Sequence, residues 1–142
     1  MNIRMADQGN TSAVAELMGM LWADHTREEL EREAVRILGD PEAAVFLAEK
    51  EAGFAQCGLR HDYVEGTCSS PVGYLEGIFV KPEFRGTGIA RALLCACEKW
   101  AKEKGCREFA SDCELSNSQS LDFHLKTGFA EANRIICFTK KL

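Results

Sequence analysis

Apolar and polar positions follow two periods along this chain, and the change from one to the other marks its predicted elements. Alternation indicates strands, and apolar residues three or four apart indicate helices. In the N-terminal third, the pattern predicts a strand at residues 2–6 and then a helix, which Thr11 or Ser12 caps and which has an apolar stripe at residues 14–21. A second helix begins at a capping-box pattern at residues 26–29 and ends at Gly39 and Pro41.

The rest of the chain alternates between strands and helices. The predicted strands are residues 44–49, 54–59, 72–80, 107–111 and 135–139. The predicted helices are two. One spans residues 88–104, and the other begins at a capping-box pattern at residues 116–119 and ends before Gly128. A length of 142 residues fits one core. We therefore expect residues 1–142 to form a single domain of the α+β class (mixed α/β).

Charge and composition narrow the classes of function. The formal net charge is −5, and an acidic surface repels nucleic acid and anionic membranes while it attracts polycationic small molecules. No apolar run approaches the roughly 20 residues that span a bilayer, and no apolar signal-peptide core follows the first residues. We expect a cytoplasmic protein with neither a nucleic-acid nor a membrane partner.

The number and spacing of the seven cysteines match neither a disulfide scaffold nor a metal-binding motif. Their number is odd, no two are spaced C-x-x-C, and Cys95 and Cys97 point in different directions on a predicted helix. A disulfide scaffold and a bound metal are therefore not expected. Small buried or half-buried thiols are the preferred interpretation.

The turn after the strand at residues 72–80 carries the chemical signal. Its sequence from Arg85 to Ala90, Arg-Gly-Thr-Gly-Ile-Ala, leads directly into the next helix. Glycines admit the backbone close to a ligand, and the first amides of a helix bind anions such as a pyrophosphate. A dinucleotide loop needs glycine where Arg91 stands, and a P-loop needs Gly-Lys-Ser/Thr. Two interpretations of the turn remain. One is the R-x-x-G-x-A pyrophosphate loop of acetyl-CoA enzymes, and the other is an ordinary strand–turn–helix with a glycine cap.

These residues resemble the GNAT superfamily of N-acetyltransferases over almost the whole chain. Scattered segments are similar to the aminoglycoside 6'-N-acetyltransferases of the type I group, namely residues 22–25, 60–64, 69–71, 75–80 and 105–112. The resemblance implies the GNAT fold, a central, mostly antiparallel twisted sheet with splayed strands and flanking helices. It also implies acetyl-CoA as co-substrate, an aminoglycoside antibiotic as acceptor, drug resistance as the outcome and a homodimer as a frequent assembly.

By the same resemblance, acetyl-CoA lies between the splayed strands like an added strand. The residues that would bind it are Ile78, Phe79 and Val80 through their main chain, Arg85, Gly86, Thr87, Gly88, Ile89, Ala90 and Arg91 around the pyrophosphate, and Asn117 at the far part of the arm. The N–H of Val80 would face the thioester oxygen and stabilise its developing charge. Asn117 also fits a plain helix cap, and the two roles are compatible.

The resemblance also implies an acceptor site at Trp22, His25, Tyr63 and Asp112. Glu76 is added to it because a carboxylate within an otherwise apolar strand needs a partner, for which a substrate ammonium is preferred. Since the sequence shows no activated nucleophile, direct attack of the amine on the thioester is the simpler chemistry. We assign Asp112 as the base that takes the amine proton, directly or through water, and Glu76 as the carboxylate that orients the ammonium. Plainer interpretations are a strand-end Asp112, a salt-bridged Glu76 and a Trp22 that belongs to the core.

Two positions depart from the family pattern. Where many relatives carry a tyrosine that protonates the CoA thiolate, this chain has His124, so either His124 is the acid or the thiolate leaves unprotonated. The acidic acceptor contact that relatives carry near the final turn corresponds to Asn133, with Glu131 nearby, and stays unassigned.

Three functions remain open at this point. The first is acetyl transfer to the 6'-amine of an aminoglycoside, the second is a GNAT enzyme that acts on a polyamine or a protein amine, and the third is a non-catalytic acetyl-CoA sensor. The apolar strand predicted at residues 135–139 offers a segment that could pair or exchange across a dimer interface.

Overall fold

Five strands form one sheet in the order β1-β2-β3-β4-β5 in the computed structural model, which describes residues 2–142. The strands are β1 (Ile3–Met5), β2 (Ala43–Ala48), β3 (Gly53–Arg60), β4 (Val72–Val80) and β5 (Phe109–Ala110), and the helices are α1 (Thr11–Leu21), α2 (Arg27–Leu38), α3 (Ile89–Glu103) and α4 (Ser118–Lys126). Neighbouring strands are antiparallel except β4 and β5, which are parallel. The predicted mostly antiparallel sheet with flanking helices is confirmed.

Helices cover both faces of this sheet because each carries one apolar stripe. On one face, α1 and α2 bury Val14, Leu17, Met18, Leu30, Ala34 and Ile37 against Val45, Leu47 and Phe54 of the sheet. On the other, α3 buries Leu93, Cys97 and Trp100 against Ala55, Cys57 and Leu75. Each large apolar side chain removed from water stabilises the fold by about 1.5–3 kcal/mol. The expectation that all seven cysteines are buried or half-buried holds for three and is wrong for four. Cys57, Cys97 and Cys106 pack in the core, whereas four lie on exposed faces or loops: Cys68, Cys95, Cys113 and Cys137.

Helix starts follow the capping chemistry, with one correction. Thr26 accepts a hydrogen bond from the N–H of Glu29 at 3.2 Å, and the Glu29 carboxylate accepts one from the N–H of Thr26, so the predicted capping box of α2 is confirmed. The predicted cap of α1 is wrong. Asn10 precedes the helix, and Thr11 and Ser12 are its first residues, because a short 3-10 turn capped by Asp7 leads directly into it.

The cap of α4 differs from the predicted one by one residue. Asn117, not Ser116, precedes the helix, and its side-chain oxygen accepts the N–H of Ser120 at 3.0 Å. The reason is a turn in which the Asn117 N–H donates to the carbonyl of Glu114 at 2.9 Å, which brings Asn117 to the helix entrance.

The predicted strand at residues 135–139 is wrong for the single chain. Residues 130–142 form neither helix nor strand, and every one of them is exposed. A strand needs a partner for its backbone N–H and C=O groups, and this segment pairs with no strand of its own chain. No helix within residues 2–142 has the length and apolar character to cross a bilayer.

Candidate active site

The site begins at an irregularity in β4. Strand β3 pairs with β4 through Gln56↔Gly77 and then Cys57↔Leu75, so Glu76 is an extra residue without a partner. A bulge of this kind bends a strand and turns one side chain away from its regular direction. Here the turned side chain is that of Glu76, whose carboxylate pairs with Arg60 at 2.9 Å. The plainer interpretation of Glu76, a salt-bridged residue, is therefore part of the structure.

The cleft opens where β5 leaves β4. The two strands pair only through Gly73↔Phe109 and Tyr74↔Ala110, so the β4 edge from residue 75 to 80 has no strand beside it. The space next to this edge is a cleft of about 670 Å³ that runs from the acidic end of β5 to the start of α3. An extended ligand can hydrogen-bond to such a free edge as an added strand.

The glycine turn closes one end of the cleft with backbone amides. Gly86 and Gly88 have φ values of +79° and +86°, a region that glycine reaches without strain. A Cβ atom at either position would contact nothing within 4 Å, so the backbone faces open space. Gly88 is the residue that precedes α3, and the helix start at Gly88, Ile89 and Ala90, whose first N–H groups have no acceptor within the helix, lines the cleft. The turn therefore has the backbone geometry that the predicted anion site needs, and anion binding itself stays a prediction.

Arginines fix the turn and the helix in place. Arg85 donates from Nε to the carbonyl of Val80 at 2.8 Å, which ties the turn to the end of β4. Arg91 donates from Nη2 to the carbonyl of Lys126 at 3.0 Å, which joins α3 to the C-terminal end of α4. Both side chains also lie along the cleft.

Nearly all residues predicted to bind the cofactor meet in this one cleft. Its lining includes Ile78, Phe79, Val80, Arg85, Gly86, Gly88, Ile89, Ala90, Arg91 and Asn117, together with Trp22, Glu76, Asp112 and His124 of the predicted acceptor and acid–base sets. Thr87 is not part of the lining, because its hydroxyl turns back to donate to the carbonyl of Phe84 at 2.6 Å.

Tyr74 is a contact residue of the site that the sequence did not indicate. Its side chain is buried, and its phenol donates a hydrogen bond to the Asp112 carboxylate. Burial, followed by this hydrogen bond, raises the pKa of Tyr74 well above its usual value. The phenol therefore stays protonated near neutral pH and holds Asp112 at the mouth of the cleft. Its position after two small or apolar residues in an apolar strand gave no signal of this contact.

His124 is held on both sides of its ring. Its Nδ1 lies 2.7 Å from the carbonyl of Ser120, so Nδ1 carries a proton and donates it there. Its Nε2 lies 2.8 Å from the hydroxyl of Ser111, a second residue that the sequence reasoning did not single out. The ring also stacks at a tilt against Phe129, with 4.9 Å between ring centroids. His124 is thus a fixed ring at the cleft wall, not a mobile surface side chain.

The predicted acceptor residues do not all lie together. Trp22 lines the main cleft and also a neighbouring pocket of about 450 Å³, which His25 and Glu76 share. Nδ1 of His25 lies 3.2 Å from Oε2 of Glu29. Tyr63 lines neither space, and its side chain is 76% exposed in the loop between β3 and β4. Its role in acceptor binding stays a prediction.

The indole of Trp22 lies against Gly77, where there is no side chain to displace it. A Cβ at position 77 would lie 2.5 Å from Cζ2 of Trp22. We expect Gly77→Ala to displace the indole, to lower the free energy of unfolding by about 1–3 kcal/mol and to shift tryptophan fluorescence. The matched control is Gly58→Ala, a glycine of β3 whose added Cβ would meet its nearest atom at an ordinary 3.4 Å. Equal effects from both variants would contradict the contact.

A splayed sheet with a glycine turn at a helix start and carboxylates across the cleft defines the class of acyl-CoA-dependent transferases. A sequence profile of the acetyltransferase (GNAT) family matches residues 13–129. The chain therefore belongs to the GNAT family of acetyltransferases.

Individual relatives cover the chain almost completely. It is 44% identical to the aminoglycoside N(6')-acetyltransferase type 1 of Stenotrophomonas maltophilia, over 99% of this chain and 93% of that protein. It is 39% identical to the enzyme of the same name from Salmonella typhimurium, over 99% of both. Among solved structures, AAC(6')-Iy in complex with the bisubstrate analogue CoA-S-monomethyl-acetylneamine superposes with a TM-score of 0.94 at 38% identity, over 99% of this chain and 98% of that one.

Proposed function

We propose that this protein transfers the acetyl group of acetyl-CoA to the 6'-amino group of aminoglycoside antibiotics and so confers resistance to them. The observation that carries this proposal is the single cleft in which the free β4 edge and the glycine turn meet Glu76 and Asp112. The relatives named for this activity, at 39–44% identity over nearly the full chain, support the choice of acceptor.

In this proposal acetyl-CoA lies along β4. The main chain of Ile78, Phe79 and Val80 binds the pantetheine arm at the edge that β5 leaves free, and the N–H of Val80 faces the thioester oxygen. The glycine turn from Arg85 to Arg91 holds the pyrophosphate, and Asn117 contacts the arm from the entrance of α4. Support comes from the cleft, whose lining contains these positions apart from Thr87. No metal is part of the scheme.

The amine attacks the thioester directly while both substrates are bound. Glu76 holds the 6'-ammonium, and Asp112 takes its proton, directly or through water, so that the neutral amine attacks the carbonyl carbon. The C–S bond breaks, and the thiolate leaves with the electron pair. The thiolate then either leaves unprotonated or takes a proton from His124, whose ring lies at the cleft wall between Ser120 and Ser111. Trp22, His25 and Tyr63 are proposed to contact the antibiotic.

One comparison of acceptors tests the proposal. The protein is mixed with acetyl-CoA and kanamycin, and thiol release is followed over time; paromomycin, which carries a hydroxyl at the 6' position, replaces kanamycin in the second arm. We expect rapid release with kanamycin and none above background with paromomycin. No release with any 6'-amino drug would refute the function, and equal release with both drugs would refute the position of transfer. Faster release with spermidine than with kanamycin would favour the polyamine alternative.

We also propose a homodimer, built on the C-terminal segment. Ile135, Ile136 and Phe138 are 68%, 80% and 87% exposed, an unusual state for consecutive apolar side chains. The sheet ends at β5, whose outer edge carries no strand of the same chain. A second copy can supply strand partners for the segment and cover its apolar residues. The cytoplasm is the proposed compartment, since all seven cysteines are free thiols.

Sedimentation measurements check the dimer. We expect the unmodified chain to sediment as a dimer and the double variant Ile136→Glu/Phe138→Glu as a monomer, because two carboxylates cannot be buried without partners. The control is Leu125→Glu, which places the same charge on an α4 residue that is 52% exposed and should leave the dimer intact. A monomeric unmodified chain at micromolar concentration would contradict the assembly.

A further inference from the structure

The Glu76 carboxylate, which the proposed acceptor needs, already forms an ion pair with a cationic side chain of the same chain. Arg60, the last residue of β3, points its guanidinium at the bulged Glu76 of β4. Nη2 of Arg60 lies 2.9 and 3.1 Å from the two carboxylate oxygens, and Nε lies 3.3 Å from one of them. A forked contact of this kind satisfies the carboxylate as fully as an incoming ammonium would.

The same guanidinium stacks on Tyr74, the residue whose phenol hydrogen-bonds to Asp112. Its central carbon is 3.4 Å from the centroid of the Tyr74 ring, a stacked cation–π contact. Tyr74 in turn donates to Asp112. Arg60 therefore contacts Glu76 directly and Asp112 through Tyr74. The proposed mechanism gives roles to both carboxylates and none to Arg60.

The contact is open enough to be exchanged. The Arg60 and Glu76 side chains are 44% and 34% exposed. Within residues 2–142, the guanidinium contacts Glu76 and Tyr74 alone, so no other polar group loses a partner when it moves. Ion pairs as exposed as this one are weak, worth about fivefold or less in an equilibrium.

We infer that Arg60 is an internal competitor for the acceptor amine: its guanidinium neutralises Glu76 in the empty site, and the 6'-ammonium displaces it on binding. This inference rests on the proposed function, because it takes the acceptor to be a cation that reaches Glu76. It assigns Arg60 a role in acceptor affinity and in the preference for a charged 6' group, and none in the chemical step. A hydroxyl at the 6' position has no charge with which to displace the guanidinium.

Calorimetry and steady-state kinetics on Arg60→Met test the inference. Methionine keeps the length and apolar stem of the side chain and removes its charge. We expect the Kd and KM for kanamycin to fall about 2–5-fold, since the ammonium no longer competes with an ion pair, while kcat stays within about twofold. The Kd for paromomycin should fall less, because its 6'-hydroxyl displaces nothing. Arg60→Lys keeps the charge and should restore values near those of the unmodified protein.

The control variant removes an equal charge elsewhere. Arg27→Met breaks the exposed pair of Arg27 with Glu31 on α2, at 3.0 Å, without touching Glu76, and should leave the Kd for kanamycin unchanged. Should Arg60→Met fail to fold, Arg60→Gln carries the same test. An unchanged or higher Kd for kanamycin in the uncharged variants, or equal gains for both drugs, would overturn the inference. The failure of the proposed function is separate and shows as absent acetyl transfer by the unmodified protein, whatever the drugs' Kd values are.

Discussion

Replacing Asp112 with asparagine is expected to lower kcat for acetyl transfer to kanamycin by about 10²–10⁴-fold, the usual size of a lost general base. Asparagine keeps the shape of the side chain and still accepts the hydrogen bond from Tyr74, so the geometry of the site is retained. What it loses is the capacity to take the amine proton. Thiol release at saturating concentrations of both substrates measures the effect.

Two companion variants separate the role of Asp112 from other causes. Asp122→Asn removes an exposed carboxylate of α4 that pairs with Lys126 and should leave kcat unchanged. Glu76→Gln should act mainly on the KM for the acceptor, because Glu76 is assigned to orient the ammonium and not to take its proton. If Asp112→Asn weakened only the binding of acetyl-CoA and kept kcat, the assignment as base would be wrong.

A side chain at Gly88 is expected to weaken acetyl-CoA binding by about 10²-fold, equivalent to losing one or two hydrogen bonds to a charged group. In Gly88→Val the isopropyl group stands in the open space at the start of α3, where the backbone N–H groups would otherwise approach the pyrophosphate. Isothermal titration with CoA measures the loss.

Gly105 supplies a control with matched strain. It also has a positive φ, +93° against +86° for Gly88, and its added Cβ would likewise meet nothing within 4 Å. Gly105 lies after the far end of α3, outside the cleft. Both valine variants should therefore lose similar stability, about 1–2 kcal/mol, and only Gly88→Val should lose affinity for CoA. An equal loss of CoA affinity in both would show that strain, and not the blocked anion site, is responsible.

The best sequence predictions concern local structure. Strand β4 was predicted at residues 72–80 and forms over Val72–Val80, because one apolar run bounded by Pro71 and Pro82 carries the whole signal. The helix at residues 88–104 forms over Ile89–Glu103, with Gly88 at its entrance. Both elements surround the glycine turn, so the location of the cofactor cleft was predictable before any tertiary contact was known.

The weaker predictions depend on contacts between distant residues. Tyr74 and Asp112 are 38 positions apart and meet because β4 and β5 are parallel neighbours. Arg60 meets Glu76 because the bulge turns that side chain out of its regular direction. Neither contact has a local pattern, and so neither Tyr74 nor Arg60 was assigned a role from the sequence. Tyr63, inferred from resemblance alone, lies outside the cleft in the single chain.

By itself, the sequence determined the class of fold, the position of the glycine turn and the family resemblance, since each depends on short-range spacing of apolar residues, glycines and caps. Only the tertiary structure decided which side chains face one another across the cleft: Tyr74 on Asp112, Arg60 on Glu76 and Ser111 on His124. It also decided that residues 135–139 have no strand partner within their own chain. The physical reason is the same in each case, because a hydrogen bond or an ion pair requires two groups that only the fold brings together.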